Sequence, residues 1–158
     1  MCKILPHKFF PDAEWWIWVD SNLTMKINPE DIIEYFGNPE HVGLHEHPER
    51  ETIKQEIEIG LKRQLDDPER LQYHKDKKGR LAACNVIVRR NTPAVRQLCE
   101  AWWAEICAGS SRDQLSFPYT LGTIAELRAC EGIKYWKDNA VYTYSQHKKP
   151  NNWETAKS

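Results

Sequence analysis

Two apolar runs dominate the hydrophobic pattern of the chain. The first, residues 15–19, consists of tryptophan, isoleucine and valine, and Asp20, Ser21 and Asn22 follow it directly. Aromatic and β-branched residues favour a pleated, buried strand, and a short apolar run closed by polar residues is typical of a core strand. The second run, residues 81–88, predicts another core strand for the same reason.

Helical patterns separate these strands. Asn28 stands before a proline and two acids, which predicts the start of a helix that Gly37 ends. A longer helix is predicted from Pro48, because apolar residues recur there at a spacing of one turn. These residues are Ile53, Ile57, Leu61 and Leu65.

Two further helices are predicted after the second core strand. Thr92 is the expected cap and Pro93 the first residue of one helix, which Gly109 ends. Ser111 is the expected cap of the next, in which Pro118 limits regularity. Short strands are predicted over residues 23–27, 42–45, 134–136 and 141–144. Strands that alternate with helices predict an α/β layered domain.

Composition narrows the class of protein. A chain of 158 residues suits one domain with a real core. With a net charge of −1, the chain lacks the excess of positive charge that is typical of nucleic-acid-binding proteins. Five cysteines without a Cys-x-x-Cys pair predict neither a disulfide framework nor a zinc site, which suits a reducing, cytoplasmic location. No apolar run approaches the roughly 20 residues that span a bilayer, so we expect a soluble protein without a membrane span.

The polar residues after the first core strand are the first candidates for chemistry. In open α/β sheets, ligands bind just beyond the carboxyl ends of strands. Asp20 and Asn22 can supply hard oxygen ligands to Mg²⁺ or Mn²⁺, with the remaining positions going to water and phosphates. The alternative interpretation is a strand-end turn, in which Asp, Ser and Asn are common.

Histidines and arginines provide further candidates. His45 and His47 share one face if they lie in a strand, and with Asp20 they would form the metal site of a phosphohydrolase. In the alternative interpretation, His47 lies in a loop near the substrate that accepts a transferred group. Arg50 can contact substrate from a helix start, and Arg89 can bind a phosphate just past a strand end. For Arg50 a solvated helix face is the favoured interpretation, whereas for Arg89 a solvated position and phosphate binding are equally compatible with the sequence.

Six motifs stand in order between residues 3 and 121. They are Lys3 to Asp12, Trp16 to Asn22, His47 to Glu51, Val86 to Arg90, Trp102 to Ile106 and Ser111 to Phe117. In this order they closely resemble a glycosyltransferase-like family named after plant turgor-defect and seed-mucilage proteins. Several ordered motifs are far more specific than a single Asp-x-Asn.

The resemblance implies a GT-A-like fold, in which a Rossmann-like mixed sheet flanked by helices binds a nucleotide-sugar donor. It implies that Mn²⁺ or Mg²⁺ bridges the diphosphate, with Asp20, Asn22 and the late His147 as ligands. It assigns Asp113 a catalytic role on the acceptor side. Substrate binding is implied for His47, Arg50, Arg89, Arg112 and Gln114.

In relatives of this kind, a sizeable segment precedes the motif that begins at Lys3. We therefore expect an incomplete or shortened glycosyltransferase-like domain over residues 1–147, followed by a polar tail over residues 148–158. A sheet without its opening strands exposes an edge that invites association. Three functions remain open: sugar transfer to a carbohydrate or other hydroxyl acceptor, a non-catalytic carbohydrate- or partner-binding remnant, and metal-dependent phosphate hydrolysis.

Overall fold

Strands and helices alternate along the part of the chain that the computed structural model describes, residues 1–124, 127, 129–130 and 140–145. The strands are β1 (Trp15–Val19), β2 (Leu23–Met25), β3 (Val42–Glu46), β4 (Ala82–Arg90), β5 (Ala129–Cys130) and β6 (Tyr142–Tyr144). The α-helices are α1 (Pro29–Tyr35), α2 (Ile53–Lys62), α3 (Pro68–Gln72), α4 (Pro93–Ala108) and α5 (Asp113–Thr123). The predicted strand at 134–136 and the polar tail lie outside the described residues.

The two apolar runs form neighbouring strands of one sheet with the order β1-β4-β3-β5. β4 is antiparallel to both β1 and β3, whereas β3 and β5 are parallel. β2 and β6 form a separate antiparallel pair. The predicted α/β class is confirmed, and the finer GT-A-like arrangement stays a prediction. Among the described strands β1 lies at one edge of this sheet, and association through an exposed edge stays a prediction.

Both faces of the main sheet are covered, which explains why β4 is apolar along most of its length. Ile87 packs into one core cluster with residues of α4, among them Leu98 and Trp102. Its neighbours Val86 and Val88 point the other way and belong to a second cluster, which includes residues of α1 and β6. Successive side chains of a strand alternate between the two faces, so one strand anchors both clusters.

Helix α2 begins later than the sequence predicts. Thr52 caps it in a capping box with Gln55, so the predicted start at Pro48 is wrong. Pro48 and Glu49 form a bend, and the next residues pair with a distant segment, since Thr52 bridges to Arg80 and Glu51 O accepts a hydrogen bond from Leu81 N. Leu65 lies beyond the helix and is 42% exposed.

The last two helices confirm one predicted cap and correct another. The hydroxyl of Thr92 accepts a hydrogen bond from Val95 N at the start of α4, and Gly109 follows the end of that helix, both as predicted. Ser111 is not the cap of α5, since Arg112 occupies that position. Ser111 instead bonds to Asp66, which ties two loops together. No described helix is long and apolar enough to span a membrane.

Candidate functional site

Four of the predicted site residues line one cavity of about 190 Å³. They are Asp20, His47, Asp113 and Gln114, and the other described lining residues are Pro48, Ala83, Cys84 and Asn85. The four come from three separate segments of the sequence. The structure therefore brings together residues that the sequence could only connect through a resemblance.

Strand geometry explains why the segments meet. β1 and β3 both run antiparallel to β4, so the carboxyl ends of β1 and β3 lie at the same end of the sheet. Asp20 N donates to Asn85 O (2.8 Å) just past β1, and His47 N donates to Leu81 O (3.2 Å) just past β3. Asp113 begins helix α5, which packs on β4. The site thus stands at strand ends, where α/β sheets bind ligands.

A lysine connects the two acidic residues of the cavity. Lys3 Nζ lies 3.1 Å from Asp20 Oδ1 and 2.5 Å from Asp113 Oδ2. Trp18 Nε1 donates to the same Asp20 oxygen at 2.6 Å. Burial lowers the pKa of Lys3, but the attraction of Asp113, a hydrogen bond to it and the nearby Asp20 outweigh burial and raise that pKa. The ammonium therefore stays charged between the two carboxylates at neutral pH.

Arg89 has a different place from the predicted one. It lies within β4, is 1% exposed and does not line the cavity. Its guanidinium donates to Lys3 O (2.6 Å), to Ile4 O (3.4 Å) and to Cys99 Sγ (3.4 Å). The predicted substrate-binding role is replaced by a positioning role, because this buried cation holds the backbone that carries Lys3.

Two predicted substrate-binding arginines share one buried carboxylate behind the cavity wall. Glu56 is fully buried and accepts from Arg50 Nε (2.6 Å) and from Arg112 Nη2 (2.5 Å). Arg112 also donates to Gln114 Oε1 (3.3 Å), and Arg50 Nη2 lies 3.0 Å from His47 Nε2. The arginines therefore contact the lining residues and are fixed through Glu56.

His47 stands in the cavity wall, where its surroundings favour the neutral imidazole. Its Nδ1 accepts hydrogen bonds from Glu49 N (3.2 Å) and Arg50 N (3.0 Å), which fixes the orientation of the ring. Burial is the main cause that lowers the pKa of His47, and the positive charge of Arg50 adds to it. The neutral form of the ring, which the lowered pKa favours, adds no charge to the cavity wall.

The predicted metal ligands are only partly assembled by the described residues. Asn22 does not line the cavity, although its Oδ1 is buried and has no hydrogen-bond partner among the described residues. Asp20 Oδ1 already bonds to Lys3 and Trp18, and His147 lies outside the described residues. Divalent Mg²⁺ and Mn²⁺ require several oxygen or nitrogen ligands. The described part of the chain does not fit such an ion, and the ion stays a prediction.

The phosphohydrolase site with Asp20, His45 and His47 is contradicted. His45 is 1% exposed and packs against the rings of Tyr35, Phe36 and Tyr142. Burial lowers its pKa to about 4. Within the described residues there is no group of three or more His, Cys, Asp or Glu that could hold a metal. His47 lies beyond the end of β3 (Val42–Glu46), so alternation along a strand does not place the two histidines on one face.

Three residues of the site were missed by reasoning from the sequence. Lys3 lies in the first of the six motifs, but a single lysine there does not by itself predict a role. Glu56 occupies the apolar stripe of α2 with Ile53 and Ile57, and an acid on such a stripe is a usable signal for a buried ion pair. Asn85 gave no signal, because its importance comes from its place at the cavity.

Comparison with known proteins agrees with the resemblance found in the motifs. The family model described as "TOD1/MUCI70, glycosyltransferase-like domain" matches residues 1–147. A curated relative, "Probable hexosyltransferase MUCI70" from Arabidopsis thaliana, is 25% identical over 141 residues, which covers 78% of this chain. The chain spans only 24% of that relative's length. No solved structure matches at a significant level.

Proposed function

The chain belongs to the TOD1/MUCI70 glycosyltransferase-like domain family, and we propose that it transfers a hexose or related sugar from a nucleotide-sugar donor to a hydroxyl acceptor. One observation carries the proposal. Asp20, His47, Asp113 and Gln114 surround a single cavity, although they are distant in sequence. A cavity walled by carboxylates, an amide and a neutral imidazole suits a ligand rich in hydroxyl groups.

The cavity is sized for a sugar rather than for a whole nucleotide sugar. Its volume of about 190 Å³ is below the roughly 300–1,000 Å³ of sites that enclose drug-sized ligands. We therefore assign it to the transferred sugar and the adjoining phosphate, with the nucleoside outside it. Asn85 supports this assignment, since its Oδ1 and Nδ2 are buried without a partner among the described residues. A sugar hydroxyl both donates and accepts and can satisfy both atoms.

Asp113 is the residue that we assign to the acceptor. In an inverting transfer, its carboxylate takes the proton of the acceptor hydroxyl while that oxygen forms a bond to the anomeric carbon. The bond between this carbon and the diphosphate oxygen breaks, and its electron pair leaves with the diphosphate. Lys3 and the start of α5 fix the Asp113 carboxylate, which keeps it in place before the acceptor arrives.

A divalent ion would neutralise the leaving diphosphate if one is bound. The family resemblance predicts Asp20, Asn22 and His147 as its ligands, but Asp20 Oδ1 is bonded to Lys3 and Trp18, and Asn22 does not line the cavity. The Mn²⁺ or Mg²⁺ ion remains part of the prediction from the family resemblance. Neither the proton transfer assigned to Asp113 nor the sugar binding assigned to Asn85 passes through this ion.

Isothermal titration calorimetry with a panel of sugar nucleotides tests the proposal. The titrations are run with Mn²⁺ on the full chain, on Asp20→Asn and on Asp31→Asn, an exposed acid at the start of α1 that serves as the control. We expect one sugar nucleotide to bind the chain and the control equally, and Asp20→Asn to bind it at least tenfold more weakly. A folded chain that binds none of them would refute the proposal and favour the non-catalytic alternative.

A further inference from the structure

The candidate site already contains a cation from the protein itself. Lys3 Nζ contacts one carboxylate oxygen of Asp20 and one of Asp113, and its side chain is only 17% exposed. We propose that Lys3 is the resident cation of this site and that the chain binds the nucleoside diphosphate of its donor through Lys3 without a divalent metal. This inference rests on the proposed function, because it concerns the donor of that same reaction.

The position of the ammonium is the first support. A divalent ion bound to Asp20 Oδ1 would compete with Lys3 Nζ for that oxygen, since its bonds to oxygen are only about 2.0–2.6 Å long and the ammonium already lies 3.1 Å from it. Trp18 contributes twice, because its Nε1 donates to Asp20 Oδ1 and its ring lies 5.5 Å from the ammonium. Two cations on one carboxylate oxygen would repel each other strongly.

The way the chain holds Lys3 is the second support. Arg89 is buried in β4 and donates to the carbonyl of Lys3 at 2.6 Å and to that of Ile4 at 3.4 Å. A buried guanidinium is costly unless it is well bonded, and here the bonds go to the segment that bears the lysine. The position of Lys3 is therefore set by the core of the sheet and not by a free terminal segment.

Charge and hydrogen-bond capacity are the third support. Asp20 and Asp113 place two negative charges at the cavity, and these repel a diphosphate unless a cation offsets them. Lys3 offsets one of them directly. Its ammonium has three N–H donors, of which two contact the carboxylates, so one remains for a phosphate oxygen.

The test compares Lys3→Met with Lys8→Met. Lys8 is a matched control, because it lies on the same segment but pairs with Glu100 at the surface, with its side chain 56% exposed. Binding of ADP, CDP, GDP and UDP is measured by calorimetry in EDTA and again in Mn²⁺. We expect one diphosphate to bind the chain and Lys8→Met with equal affinity in both buffers.

Lys3→Met should bind that diphosphate at least tenfold more weakly in EDTA and should regain affinity in Mn²⁺, because its two carboxylates then lack a counter-ion. Lys3→Gln, which keeps a polar side chain, should behave in the same way and replaces the methionine variant if that variant does not fold. Binding by the chain only in Mn²⁺, with Lys3→Met unchanged, overturns the inference and leaves the donor site intact. No binding in either buffer overturns the donor site as well.

Discussion

Replacing Glu56 with glutamine is the sharpest test of how the cavity wall is built. Glu56 is fully buried on α2 and accepts from Arg50 Nε and Arg112 Nη2 at 2.6 and 2.5 Å. Glutamine keeps the shape of the side chain but removes the negative charge. It also turns an N–H₂ group toward one of the two guanidiniums, which can only donate.

The expected loss of stability depends on the burial of Glu56 and on how far Arg50 and Arg112 remain exposed to water. Removing one partner of a buried ion pair costs about 3–5 kcal/mol, because the other charge is left uncompensated. The side chains of Arg50 and Arg112 are 15% and 26% exposed, so both guanidiniums retain some access to water. We therefore expect Glu56→Gln to lower the free energy of unfolding by about 2–3 kcal/mol.

Urea denaturation measures this loss. With a slope of about 2 kcal/mol per molar urea, the unfolding midpoint should fall by about 1–1.5 M. Glu58→Gln is the control, since Glu58 is an exposed acid on the same helix and should change stability by less than about 0.5 kcal/mol. Equal midpoints for the two variants would refute the claim that Glu56 holds the arginines in place.

The remaining predictions concern pH, packing and the sugar subsite. Burial is the main cause that lowers the pKa of His74 to about 4. As the pH drops, the unfolded chain therefore binds a proton at His74 at a higher pH than the folded chain does. The free energy of unfolding should consequently fall between about pH 6.5 and pH 4. Urea titrations should show a smaller fall in His74→Gln, and an unchanged fall would contradict this reasoning. Gly43→Ala should lower the free energy of unfolding by about 1–3 kcal/mol in the same assay, because the added Cβ would lie 2.8 Å from the Cβ of Phe36. Gly122→Ala should instead raise it by up to about 1 kcal/mol, because Gly122 lies in α5 with open space at its Cβ position and alanine favours a helix. Asn85→Ala should weaken calorimetric binding of the sugar nucleotide about tenfold without loss of thermal stability, and unchanged binding would remove Asn85 from the site.

Local patterns predicted most of the elements correctly. The strands at residues 15–19 and 81–88 and the cap at Thr92 depend on neighbouring residues, whose spacing and chemistry are visible in the sequence. The start of α2 was missed for the opposite reason. Glu51 and Thr52 pair with Leu81 and Arg80, which are distant in sequence.

The candidate site was likewise predictable only in part from the sequence. The motifs by themselves indicated the family and pointed to Asp20 and Asp113. Only the tertiary structure showed that Lys3 lies between those two residues and that Arg89 is turned into the core to hold it. A side chain's charge is determined by its residue type, but its burial and its partners depend on which strands become neighbours. For that reason the sequence determined the family and the chemical groups of this protein, and the fold decided which of those groups act together.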